Sequence, residues 1–367
     1  MNCIGKYKMK INSIILIILT FLSFPCSGQN EDSTQQSEPV KNVILMIGDG
    51  MGLSQIYAAY TVNRGNLNME RAQAVGLSKT YSADKYVTDS GAGGTAISCG
   101  VKTRNEMIGM DTSAIKVRTL LEIAEDAGLS TGLVVTSSIL HATPASFIAH
   151  QINRHNYREI AADFLDSGID IFVGGGRLIF EDSTDIAARL KEKGYSIVHT
   201  LDSIDINSSM NIGCLAADSG LIRMTEGRGN YLPDATRIAL SKLSKNKNGF
   251  FIMVEGSQID WGGHDNNIDY LIEEVIDFDH AVGEAFDFAD RHPGTLVVVT
   301  ADHETGGLSI IDGDLAKGEI ITSFSTDDHS GVMVPVLAYG RGAAEFTGIY
   351  ENTAIFHKIM ALLSFNE

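Results

Sequence analysis

Apolar runs broken by turn signals recur along the chain, and several end in a residue able to bind or react. The first runs Val43-Ile44-Leu45-Met46-Ile47 and stops at Gly48-Asp49-Gly50. A continuous run of this kind, rich in β-branched residues, predicts a strand buried on both faces, as in a parallel sheet. Similar strands are predicted over Thr131 to Thr136, Ile169 to Val173, Tyr195 to Val198, Gly249 to Glu255, Thr295 to His303 and Val334 to Tyr339, the last closing the sheet. Helical patterns lie between them. They cover Thr119 to Ala127, a polar segment carrying His150 and Arg154, Ser183 to Gly194, Asp234 to Leu243, Asp269 to Asp290, and Thr353 to Leu363. Gly128, just past the first of these, is a helix stop. Strands alternating with helices predict an α/β fold: a three-layer sandwich whose central, mostly parallel sheet carries helices on both faces. No repeat, low-complexity tract or linker interrupts residues 41–367, which read as a single domain.

The N-terminal segment follows a different pattern. Lys6, Lys8 and Lys10 precede an apolar run from Ile11 to Phe24, then Pro25-Cys26-Ser27-Gly28. This layout predicts a signal peptide over residues 1–28, cleaved after Gly28, and hence a secreted or periplasmic protein. The apolar run is shorter than the roughly 20 residues a bilayer span requires. A lipid anchor on Cys26 is the lesser alternative, because Phe24 and Pro25 are poor neighbours for it. Residues 29–40 are polar and aperiodic, a flexible leader.

Charge then narrows the partners. The 367 residues carry a formal charge of −18, which argues against nucleic acid or an anionic membrane as partner. An anionic substrate would need local positive charge from bound metal or a few arginines. Of four cysteines, only Cys99 and Cys214 fall outside the signal segment. Two are too few for a disulfide scaffold, and either a pair or two buried thiols is compatible with the sequence.

Strands ending at Asp49, at Glu255 and at Asp302-His303 would place polar tips along one sheet edge, where ligands bind in open α/β sheets. The segment after Glu255 adds Asp260 and His264, four residues apart and therefore on one face if helical. His329 precedes the closing strand within Asp328-His329-Ser330-Gly331. Histidine beside carboxylates suits a divalent metal.

Taken with Asp89-Ser90-Gly91 and Thr300-Ala301-Asp302-His303-Glu304, these motifs give the chain its resemblance to the alkaline phosphatase family, from Lys41 to the C-terminal helix. The resemblance implies a phosphomonoesterase that acts on small-molecule phosphate monoesters as a homodimer. By the same resemblance, Ser90 is the nucleophile that becomes phosphoserine. One Zn²⁺ is held by Asp260, His264 and His329, and a second by Asp49, Asp302 and His303. A third ion, Mg²⁺, sits between Asp49, Thr143 and Glu255, and Arg154 clamps two phosphate oxygens.

Chemistry supports these residue types independently. A serine hydroxyl is a weak nucleophile until a metal stabilises its alkoxide, and arginine offers a planar two-pronged donor to phosphate. Ser90 precedes small residues that would open a helix, so an N-cap role and a nucleophile role are both open to it. Two positions tune the site. His141 stands where the enterobacterial pattern has Asp, and Trp261 where it has Lys; both face the substrate in the resemblance. The 25 residues between His303 and His329 are too few for the large insertion of vertebrate members. The alternatives are a phosphodiesterase of the same superfamily and a metal- or phosphate-binding protein that has lost catalysis. The sulfatase motif is absent at Ser90-Gly91-Ala92-Gly93-Gly94.

Overall fold

A computed structural model describes residues 39–365. The signal peptide and nearly all of the leader lie outside the described residues. The strands, in chain order, are β1 (Asn42–Gly48), β2 (Ala74–Lys79), β3 (Ser130–Ser138), β4 (Ile171–Gly175), β5 (Tyr195–Val198), β6 (Asn211–Ala217), β7 (Phe250–Gly256), β8 (Thr295–Thr300), β9 (Glu304–Thr305), β10 (Ser309–Asp314), β11 (Glu319–Ser323), β12 (His329–Ser330), β13 (Val334–Gly340) and β14 (Gly348–Glu351). Ten of them form one sheet in the order β14-β2-β13-β8-β1-β7-β3-β4-β6-β5. β13 runs antiparallel to β8 and β2, and the other pairings are parallel. β10–β11 and β9–β12 are separate two-stranded ribbons.

The alternation of a strand's side chains explains the layers. In β1, Val43, Leu45 and Ile47 enter one hydrophobic cluster, while Ile44 and Met46 enter another on the opposite face. Helices Leu120–Asp126 and Thr353–Leu362 cover the first cluster through Leu121, Ala124, Ile355 and Ile359. Helices Tyr231–Leu243 and Ile268–Arg291 cover the second. The long helix begins where Asn267 accepts a hydrogen bond from the Tyr270 amide. It buries Leu271, Val275, Phe278 and Val282 along one stripe, the 3.6-residue period of a surface helix.

Three readings change. Val334–Gly340 does not close the sheet; it lies inside, between β8 and β2, with β14 at the edge. β2, β6 and β14 escape a reading from apolar runs because they are short or contain glycine. In β6 a Cβ on Gly213 would meet Phe172 at 2.3 Å. Arg154 is not on a helix. The backbone pairs Gln151 with Ile108, Arg154 N–H donates to Glu106 O at 2.8 Å, and the next helix starts at Tyr157. An Asn153 side chain that accepts from the His155 amide favours this turn over a helix. Cys99 and Cys214 are buried free thiols. Among the described residues, no helix is long and apolar enough to cross a membrane.

Candidate active site

The carboxyl ends of three adjacent parallel strands, β8, β1 and β7, carry the acids. Ile47 pairs with Glu255 and with Thr300, so Asp49, Glu255 and Asp302 emerge within two residues of one level. Asp49, Glu255, Asp302 and His303 are fully buried. Gly50 takes a positive φ of 73°, and a Cβ there would press on Thr305 and on the Asp260 backbone. Glycine alone permits the chain to turn that tightly between them.

Ser90 is the first residue of the helix Ser90–Cys99 and is buried. The cap is Asp89, whose Oδ1 accepts from the Ala92 amide, so Ser90 is left free of that task. Its Oγ lies 3.3 Å from His303 Nε2. The small residues that follow are required by close approach. A Cβ on Gly93 would stand 3.0 Å from Asp302, and one on Gly94 would stand 2.5 Å from Ser146 Oγ.

Two groups of side chains can each hold a metal ion: Asp49, Asp302 and His303, and Asp260, His303 and His329. His303 Nε2 stands 3.4 Å from Asp49 Oδ1 and 3.3 Å from Asp302 Oδ2. His264 Nε2 joins the other group, 3.3 Å from Asp260 Oδ1 and 3.2 Å from His329 Nε2. The other ring nitrogens face outward. His264 Nδ1 meets Asp327 O at 2.7 Å, and His329 Nδ1 meets Thr88 O at 2.8 Å. A backbone carbonyl there takes the Nδ1 proton and leaves Nε2 facing inward, the nitrogen that a metal would claim once its proton is released.

Electrostatics agree with that donor set. Burial, then the charges of Asp302 and Asp260, hold Asp49 well above the usual carboxylate range. Burial also raises Glu255 to about 8 and Asp302 to about 6. It would raise Asp260 too, but hydrogen bonds from His264 and His329 outweigh it and hold that carboxylate well below its usual range. Both oxygens of Asp49, Oε1 of Glu255, Oδ2 of Asp302 and Oγ1 of Thr143 are buried without a hydrogen-bond partner. Unpaired buried oxygens on several acids are costly, and divalent cations would satisfy them. The residues present therefore fit metal ions.

Thr143 lies in the short helix Ala142–Ala145, which starts just after His141. His141 and Trp261 meet edge to face, centroids 6.0 Å apart. His141 Nδ1 is buried and unpartnered, and burial, then the Arg154 charge, lowers its pKa to about 4. Arg154 Nη1 donates to Asp89 Oδ2 at 3.0 Å.

Several supporting groups had no assigned role in the sequence. Thr305 Oγ1 links the two histidine–carboxylate groups, 2.5 Å from Asp260 Oδ1 and 3.2 Å from His303 Nδ1. Glu304 accepts from Gln55 Nε2 at 2.5 Å and from Ser330 Oγ, tying β9 to β12 and so placing His329. Ser257 Oγ donates to Glu255 Oε2 at 2.5 Å. The two-residue alternation that puts 303 and 305 on one side was the available signal for Thr305; the partners of Glu304 are distant in sequence and left none.

The profile of the alkaline phosphatase family matches residues 40–322. Alkaline phosphatase 3 of Bacillus subtilis is 34% identical, over 97% of this chain and 96% of its own. The solved alkaline phosphatase of the Antarctic bacterium TAB5 is 46% identical with a TM-score of 0.85, over 90% of this chain and 100% of its own. A His-to-Asp variant of that enzyme, solved with Mg bound in its M3 site, has a TM-score of 0.86 and 45% identity, over 90% of this chain and 100% of its own.

Proposed function

The chain belongs to the alkaline phosphatase family and is a metal-dependent phosphomonoesterase, and from that premise we propose that it works through a phosphoserine on Ser90 in a three-ion site. Zinc would be held by Asp260, His264 and His329, and by Asp49, Asp302 and His303, since imidazole with carboxylate suits that metal. Magnesium would lie among the oxygens of Asp49, Thr143 and Glu255, a hard all-oxygen set. A relative carries Mg in its M3 site when one of its His residues is replaced by Asp, which supports magnesium for this architecture and leaves His141 to weaken its hold here. When bound, the ions would stabilise the serine alkoxide and neutralise the phosphate's charge.

The chain's own residues do the rest. Ser90 Oγ attacks phosphorus as the ester P–O bond breaks, and the alcohol departs with a proton. Water then cleaves the Ser–O–P bond, which frees phosphate and restores the hydroxyl. Arg154 donates to two non-bridging oxygens, and Asp89 holds its guanidinium in place. The N-terminus of Ser90–Cys99 adds positive potential beneath the anion. The carrying observation is the single nitrogen, His303 Nε2, that faces Ser90 Oγ, Asp49 and Asp302 together.

The test compares an aryl phosphate monoester, a diester and a sulfate, and looks for a phosphorylated serine after an acid quench. Monoester turnover far above the others, with label on Ser90, is expected. Faster diester turnover would move the enzyme to the phosphodiesterase reading, and no turnover at all to the binding-protein reading.

Residues 1–28 would direct export, residues 41–367 would form one catalytic domain, and the enzyme would act as a homodimer. Leu53, Tyr57, Val75 and Leu315 line one groove of about 560 Å³, and their exposure favours a protein partner there.

A further inference from the structure

Trp261 is the one tryptophan in the chain. With Leu140, His141, Tyr157, Leu178 and Leu221 it walls a cavity of about 430 Å³, within the about 300–1,000 Å³ typical of small-molecule sites. The inner wall borders the phosphate site, because His141 packs against Trp261 and feels the charges of Arg154 and Asp260. Leu140 and His141 lead into Thr143, Trp261 follows Asp260, and Tyr157 stands three residues beyond Arg154. Ser90 Oγ faces the nitrogen of His303 that also meets Asp49 and Asp302, so in an in-line displacement the departing oxygen would face the other proposed group, Asp260, His264 and His329, whose Asp260 precedes Trp261.

The walls are fixed before any ligand arrives. Gly220 has no Cβ, and one placed there would stand 2.8 Å from Trp261 Cη2. The neighbouring strap is pinned at both polar atoms of its backbone. Leu221 N–H donates to Thr136 O at 3.1 Å, and Leu221 O accepts from Gln258 Nε2 at 2.8 Å. Little ordering cost therefore falls on binding. The lining's carboxylate, Asp218, is already paired with Arg177 Nε at 2.9 Å. At the mouth Leu178 is 61% exposed, apolar area that a ligand would cover.

We infer that this cavity is a leaving-group subsite for uncharged aromatic or branched apolar alcohols, giving the enzyme a preference for their phosphate monoesters over those of small alcohols. The inference rests on the phosphomonoesterase reading above. Phosphate clamped beside Arg154 leaves the alcohol to settle against the indole and phenol faces of Trp261 and Tyr157, where apolar burial favours larger groups.

The test uses the metal-loaded enzyme with ethyl phosphate and 2-phenylethyl phosphate, primary esters with leaving groups of similar acidity. The phenylethyl ester should show a kcat/KM about tenfold or more higher, and Leu178→Asp, a surface change, should cut that ratio to about threefold or less. Trp261 gives a second readout. Titration with 2-phenylethylphosphonate, which cannot be hydrolysed, should change the tryptophan emission saturably and at about tenfold lower concentration than ethylphosphonate. Equal kcat/KM for the two esters, a ratio unmoved by Leu178→Asp, or equal binding of the two phosphonates would overturn the subsite while leaving the phosphatase reading intact. If neither ester is hydrolysed, the phosphatase reading falls and the subsite with it.

Discussion

The hydroxyl of Thr305 donates to Oδ1 of Asp260 at 2.5 Å. The same oxygen of Asp260 faces both His264 and His329, so one threonine sets the orientation of a carboxylate on which two imidazoles converge. Thr305→Val keeps the side-chain volume and deletes the bond. Zinc affinity, read by competition with a chromophoric chelator, should fall about 10–100-fold. The fold should lose only about 1–3 kcal/mol in a urea titration. Unchanged zinc affinity would reduce Thr305 to a packing residue.

Ser90→Ala should remove nearly all monoesterase turnover, because no other hydroxyl stands against His303 Nε2 among the contacts described. Asp89 rather than Ser90 caps the helix, so stability should change little. Turnover assays and elemental analysis of the same preparation check both halves. Near-normal turnover with full metal content would sink the covalent mechanism.

Removing the ions should destabilise the protein more as pH rises. Burial holds Glu255 at about 8, and the hydrogen bond with Asp260 holds His264 at about 9. Both values lie above those of an unfolded chain, so the folded, stripped protein binds more protons than the unfolded one and loses stability as pH climbs through them. His303 and His141 shift downward, and their opposing contribution has ended by about pH 7.5, once the unfolded histidines are neutral. Bound ions keep the same groups deprotonated at any of these pH values. The gap in Tm between loaded and chelated enzyme should therefore widen from about pH 7.5 to 9. A gap that narrows over this range would contradict a metal-filled carboxylate site.

His141 and Trp261 should tune the ions and the phosphate separately. Nδ1 of His141 is buried without a partner. An aspartate there adds a hard oxygen and a negative charge, so His141→Asp should make activity depend more steeply on added magnesium. Trp261→Lys adds a cation beside Asp260 and should lower the inhibition constant of phosphate. If product release limits turnover, kcat should fall with it. Magnesium titration and phosphate inhibition on the single variants decide the matter, and parental behaviour in both would remove these positions from the site.

The loop that carries Gly220 and Leu221 is tied to the long helix through Arg228. Arg228, buried, pairs with Glu274 and with Asp277 at 2.7 Å, also buried, on the long helix. Arg228→Met leaves two buried carboxylates facing each other and should cost about 3–5 kcal/mol by urea denaturation. A loss below about 1 kcal/mol would mean that water reaches the pair.

Much of the site was legible in residue order because its acids sit at strand ends. A parallel sheet requires apolar runs, and an apolar run that stops at a carboxylate marks the end of its strand. Asp49, Glu255 and Asp302 could be placed on one edge for that reason, and Asp260 and His264 on one helical face by their spacing. Motif order along the chain carried the rest of the resemblance.

Tertiary structure decided what depends on contacts between distant segments. β13 became an interior antiparallel strand because β2 and β14 pair beyond it, and neither short strand announces itself by periodicity. Arg154 left the predicted helix because the backbone at Gln151 found its partner at Ile108, 43 positions away along the chain. His329 reached its partners through a two-residue ribbon clipped by Glu304 to Ser330 and Gln55. The cavity beside Trp261 likewise exists only where five segments meet. Local sequence determines which backbone state each residue favours, whereas long-range pairing determines which side chains share a volume, and chemistry at the site needs both.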